Sequence, residues 1–115
     1  MKRAARNKER GYELEREVVV AAQEAGLEAT RVFGSGAFKN ELGEEFAGDV
    51  LIDGRWRGEC KRTKRGLALI TKAFSQDDAD FVCVRTDRAP RFYVLREGTF
   101  HDLLKRERRT RHEPE

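Results

Sequence analysis

The dipeptide Asp53-Gly54 constrains this chain more than any other pair of residues, because it stands between two short runs in which apolar and charged side chains interleave. Asp-Gly favours the left-handed backbone of a tight hairpin turn, so Val50 to Ile52 and Trp56 to Lys61 are predicted to be antiparallel strands. Opposed residues of such a pair share a face. With a two-residue turn, Ile52 pairs with Arg55 and both faces mix charge with apolar groups. A three-residue connection sorts the pattern: Val50, Ile52, Trp56, Gly58 and Cys60 share one face, and Asp49, Leu51, Arg57, Glu59 and Lys61 the other. The sorted register lets one face pack a core while the other holds charge, and it is the one predicted. It sets Asp49 opposite Glu59, and two carboxylates held that close call for a cation or a proton between them.

The segments around this hairpin supply the rest of a domain. Leu14, Val18, Ala21, Ala22 and Ala25 recur at helical spacing, which predicts an amphipathic helix from about 8 to 25 stopped by Gly26. Leu27 to Phe33 reads as a short strand, and Gly34-Ser35-Gly36 opens an acidic loop to about Ala47. Gly66 to Gln76 is a second helix with Leu67, Ile70 and Phe74 on one face. Phe81 to Val84 is an uninterrupted apolar run, as in a strand covered on both sides, and Phe92 to Leu95 follows a turn at Asp87 to Pro90. Thr99 and Asp102 resemble a capping pair for a last helix carrying Phe100, Leu103 and Leu104. The order α-β-β-β-α-β-β-α predicts a single α/β domain, a central mixed β-sheet flanked by helices. Residues 1–10 read as a basic N-terminal arm, 11–104 as the domain and 105–115 as a charged, flexible tail.

A chain of 115 residues can bury about two thirds of its unfolded surface, enough for one core without staples. Cys60 and Cys83 lack the paired spacing of a zinc site or a disulfide framework and are predicted to be reduced and buried. No apolar run approaches the roughly 20 residues of a membrane span, and Met1 leads into a basic stretch without the apolar segment of a signal peptide. A cytoplasmic location and no membrane partner are the expectation. His101 and His112 read as inert.

Charge is abundant and unevenly placed. Lys and Arg number 24 against 21 Asp and Glu, so the net value says little. Lys2, Arg3, Arg6, Lys8 and Arg10 cluster at the N-terminus, residues 55–65 hold six basic groups including Arg62 and Lys64, and residues 41–53 between them hold five acids and no base. Basic flanks around an acidic cluster suit a protein that gathers phosphates and offers carboxylates to a metal, although a solvated, highly charged surface has the same statistics.

The pattern Asp49, about ten residues, then Glu59-Cys60-Lys61 has a specific chemical use. Hydrolysis of a phosphodiester calls for hard oxygen ligands to Mg²⁺, a water activated by that metal, and a cation where charge accumulates on the phosphate. Asp49 and Glu59 can be ligands, the carbonyl of Cys60 a further one, and Lys61 the cation. Taken alone, an ordinary cross-strand ion pair is the commoner explanation of Glu-x-Lys.

Three further segments add context. Gly11-Tyr12-Glu13-Leu14-Glu15-Arg16-Glu17-Val18, Thr30-Arg31-Val32-Phe33-Gly34-Ser35-Gly36, Gly48-Asp49-Val50 and Gly58-Glu59-Cys60-Lys61 occur in that order. Over residues 11 to about 62 the chain resembles the archaeal-type Holliday junction resolvases of the PD-(D/E)xK nuclease superfamily. Gly48 stands where the superfamily name has proline, and Glu41, Glu44 and Glu45 make the loop unusually acidic. The resemblance implies a PD-(D/E)xK-like fold in which Glu15 joins Asp49 and Glu59 at Mg²⁺, or Mn²⁺ in its place, with Lys61 completing the catalytic set. It implies that Arg16, Arg31 and Ser35 bind phosphate or brace the site, that cleavage leaves a 5′-phosphate, and that the enzyme acts as a homodimer on branched or four-way DNA. Arg3, Arg6, Lys8, Arg10, Arg62 and Lys64 are candidate DNA contacts by their clustering. Phe38, Trp56, Phe92 and Tyr93 are candidates for the dimer surface. The alternatives are a nuclease of the same superfamily acting on flaps, nicks or duplex, and a non-catalytic nucleic-acid-binding module.

Overall fold

The computed structural model describes residues 2–32 and 50–112. Its elements follow the predicted order: α1 (Lys2–Glu24), β1 (Ala29–Arg31), β2 (Val50–Ile52), β3 (Trp56–Gly58), α2 (Ala68–Asp77), β4 (Phe81–Val84), β5 (Phe92–Leu95) and α3 (Glu97–His112). The chain gathers into two compact units that divide after Arg62.

In the first unit α1 begins at Lys2, upstream of the predicted start near residue 8, and ends where the sequence places its stop. Gly26 has φ +94°, its N–H donates to the Gln23 carbonyl at 3.0 Å, and the Leu27 N–H reaches back to Ala22 at 2.9 Å. These two bonds satisfy carbonyls of the last turn and form a Schellman ending. Leu27 is thereby turned inward and is buried with Ala22. The predicted apolar stripe packs α1 against β1 and β2. Ala29, Val50 and Ile52 form the buried face beneath it.

The hairpin between β2 and β3 has the predicted register: Val50 pairs with Gly58, Leu51 with Arg57 and Ile52 with Trp56. Asp53 and Gly54 have φ of 54° and 65°, and the Arg55 N–H closes the turn on the Ile52 carbonyl at 3.1 Å. Two successive positive φ values are what the Asp-Gly turn chemistry supplies, and Arg55 is the extra residue that shifts the register. Asp53 also exchanges hydrogen bonds with Glu28: its N–H donates to the Glu28 carbonyl at 2.8 Å and its Oδ1 accepts from the Glu28 N–H at 3.0 Å. This clamp fixes β1 alongside β2, with Arg31 opposite Val50. β1 and β3 are shorter than predicted, and the β3 ladder ends at Gly58.

The second unit holds a separate hairpin, in which β4 and β5 pair antiparallel, Phe81 with Leu95 through Val84 with Phe92. The described strands thus form two antiparallel sheets, three- and two-stranded, where one mixed sheet was expected. Closing a hairpin between neighbours in sequence needs only a short loop, and strands of three or four residues offer few further ladder bonds to reward a longer crossover. α2 ends at Asp77 and is capped by Asp78, whose φ is +47°. Arg96 stacks over the Phe74 ring at 4.4 Å and donates to the carbonyls of Phe74 at 3.2 Å and Ala79 at 2.7 Å. A guanidinium at the end of α2 answers its unpaired carbonyls and negative pole. α3 begins at Glu97, ahead of the Thr99–Asp102 pair expected to cap it, with Glu97 in the first turn facing the positive pole. It runs on to His112, through the segment read as a tail. His101 and Leu104 are its buried residues.

Candidate functional site

Glu15 and Arg31, each named as a site residue only by resemblance, are partners in the structure. Glu15 projects from α1 and Arg31 from β1. Oε2 of Glu15 accepts from Arg31 Nε at 3.1 Å, with Nη2 at 3.0 Å. The side chains are 12% and 22% exposed, so this is a largely shielded, charge-assisted contact. The guanidinium also lies 5.1 Å from the centre of the Tyr12 ring, one turn back along α1. Arg31 therefore orients Glu15 and is itself held from two sides.

Glu59 and Lys61 lie just past the end of β3. Lys61 Nζ is 3.6 Å from Glu59 Oε2, and the side chains are 84% and 63% exposed. The pair shares a side, as the spacing predicts, although the strand ladder no longer carries it. Cys60 between them is half-buried. Cys83, predicted to be buried, is exposed, and no disulfide joins the two.

The other candidates separate into three groups. Arg62, read as a DNA contact, donates to Glu13 Oε2 at 3.0 Å, and both are about half exposed. Nothing local in the sequence announces this pair, since its members are 49 residues apart. Arg16 and Lys64 are exposed. Ser35, Phe38 and Asp49 lie outside the described residues, as do the side chains of Arg3, Arg6, Lys8 and Arg10.

Among the described residues no three His, Cys, Asp or Glu side chains form a group able to hold a metal ion. Glu15 and Glu59 are hard oxygen donors of the kind Mg²⁺ takes, and the guanidinium on Glu15 engages Oε2 and leaves Oε1. The donor type fits a divalent cation; the set of three needs Asp49. No helix among the described residues is long and apolar enough to cross a membrane. No family model, curated protein or solved structure matches the chain significantly.

Proposed function

We propose that the protein is a Mg²⁺-dependent, structure-selective DNA endonuclease of PD-(D/E)xK type, acting as a homodimer with a four-way junction as its substrate. The observation that carries this reading is the β2–β3 register, in which Val50 opposes Gly58. Continued by one residue, that register would set Asp49 against Glu59, which the two-residue alternative would not do. A second support is the shielding of Glu15 beside Arg31, an unusual investment of order in a surface glutamate.

The residues divide the work by chemistry. Asp49, Glu59 and Glu15 would hold the cation through carboxylate oxygens, and the Cys60 carbonyl would add a neutral one. Mg²⁺, when bound, supplies Lewis acidity that generates a nucleophile from water and offsets charge on the phosphate. Arg31 holds Glu15 in one orientation. Lys61 is exposed beside Glu59 and can turn its ammonium to a phosphate oxygen as charge develops there. A junction presents two equivalent strands, and a two-fold dimer would bring one site to each.

The deciding experiment adds Mg²⁺ to a pre-bound four-way junction and to a sequence-matched duplex. The expected outcome is nicked duplex from the junction and an intact control. Asp49→Asn should abolish single-turnover cleavage while junction affinity in EDTA stays equal or rises, because a negative charge facing the phosphate is removed. Lys61→Ala should lower both. Cleavage of the linear control at the same rate would reassign the substrate to duplex. Near-normal cleavage by folded Asp49→Asn would remove the catalytic assignment, and binding without cleavage under any divalent ion would leave a non-catalytic DNA-binding module.

A further inference from the structure

The β4–β5 hairpin leaves its aromatic side chains open to solvent. The register puts Phe81, Cys83, Tyr93 and Leu95 on one face. Phe81 and Tyr93 are 52% and 63% exposed, with ring centroids 5.7 Å apart and planes at 53°. Phe92, at the loop end of the opposite face, is 66% exposed. The loop from 85 to 91 carries Arg85, Arg88 and Arg91 against a single acid, Asp87. All three arginines are exposed, and none has a hydrogen bond or ion pair among the described residues. The turn is ordered by the Ala89 N–H on the Thr86 carbonyl at 2.9 Å, with Arg88 at φ +64°.

Two unfavourable features thus adjoin: apolar rings facing water, and three like charges gathered around a single acid. One partner relieves both when it offers flat π surfaces and regularly spaced negative charge, and that is an unpaired nucleic acid strand. Duplex DNA keeps its base faces stacked and could use only the arginines. A second copy of this chain, docked hairpin to hairpin, would cover the rings but would offer from its own loop one acid, Asp87, against three further arginines. An anionic membrane suits rings at a hairpin tip, whereas here the tip carries Asp87 and the rings lie behind it.

We propose that the β4–β5 hairpin is a docking surface for single-stranded nucleic acid, with Phe81 and Tyr93 stacking on bases and Arg85, Arg88 and Arg91 meeting phosphates. Arg91 precedes Tyr93 by two residues, roughly 7 Å along the strand, so one nucleotide can engage both. The surface needs no metal and uses none of the carboxylates of the first unit. It holds whether or not the protein is a nuclease.

The test is fluorescence anisotropy of a labelled oligo(dT) with the full chain in EDTA. Tyr93→Ala should weaken binding about tenfold. Tyr93→Phe should retain it, since stacking and not the hydroxyl is used. Arg88→Gln and Arg91→Gln should each reduce the log-log salt slope by about 0.7. Because Tyr93 is mostly exposed, Tyr93→Ala should fold; circular dichroism checks this. Independently, oligo(dT) should slow alkylation of the exposed Cys83, read by mass spectrometry. Full affinity in folded Tyr93→Ala, or Cys83 alkylated at an unaltered rate, would overturn the proposal. So would a Tyr93→Ala variant that sediments as monomer from a dimeric parent with unchanged affinity, which would assign the face to self-association. Asp49→Asn should bind oligo(dT) normally, so loss of cleavage there leaves this surface untouched.

Discussion

The two hairpins of this protein have opposite relations to solvent. Val50 and Ile52 of the β2–β3 hairpin are 2% and 4% exposed, although Arg55, Arg57, Glu59 and Lys61 make it the more charged of the two by sequence. The β4–β5 hairpin is far more apolar in composition, yet Phe81, Phe92 and Tyr93 are all more than half exposed. The difference lies in what each is offered. α1 brings a stripe of small and branched side chains onto β1 and β2, and the Asp53–Glu28 clamp holds the three strands in step beneath it. A strand buries its apolar face only where another element supplies a matching one. The aromatic face is thereby left to solvent, and the buried one is a platform from which Glu15 and Arg31 can be held still.

The largest expected contrast is in core truncation. Ile52→Ala should lose about 3 kcal/mol of stability, whereas Val82→Ala on the half-buried β4 should lose under about 1.5. Urea denaturation of both variants measures it, and equal losses would break the distinction between the hairpins.

Next comes the shielded ion pair. Arg31→Ala should destabilise by roughly 1–3 kcal/mol, because it leaves the largely shielded Glu15 carboxyl without its hydrogen-bond partner. A double-mutant cycle with Glu15→Gln should give a coupling above about 0.5 kcal/mol. Additive effects would mean that the pair is formed without holding Glu15, and the bracing role would go.

Gly58→Ala sharpens the account of the buried face at a smaller scale. A Cβ there would stand 3.1 Å from Val50 Cγ2. Val50 is closely packed and stiff at χ1, so the contact should cost about 1 kcal/mol. The cost should shrink in a Val50→Ala background, and an unchanged cost would place its origin elsewhere.

The smallest effect is expected at the exposed pair. Lys61→Met should change stability by less than about 0.5 kcal/mol, since both partners are well solvated. Thermal denaturation checks this; a larger loss would mean that Lys61 supports the fold, and its effect on cleavage could not be read as chemistry.

Short-range features were legible in the residues. Gly26 ended α1 as read, and Asp53-Gly54 with Arg55 produced the three-residue connection. Where the reading went astray, the cause was long-range. The run Phe81 to Val84 predicts a strand covered on both sides, but four apolar residues say only that cover would be favourable, not that any segment provides it, and Phe81 is exposed. The pairing of Arg62 with Glu13, 49 residues earlier, is likewise long-range and is carried by no local pattern. At the candidate site, Glu59 and Lys61 share a side as their spacing required, Glu15 and Arg31 entered separately through resemblance and only the structure pairs them, and Asp49 lies outside the described residues.

The sequence by itself determined the order of elements, the stop of α1 and the register of the β2–β3 hairpin, because turn and capping chemistry acts between residues a few positions apart. Tertiary structure alone decided which apolar face was covered, that the strands form two sheets, and that Arg31 serves Glu15. Burial and ion pairing depend on surfaces contributed from distant parts of the chain, and no local pattern encodes which of several possible partners will arrive.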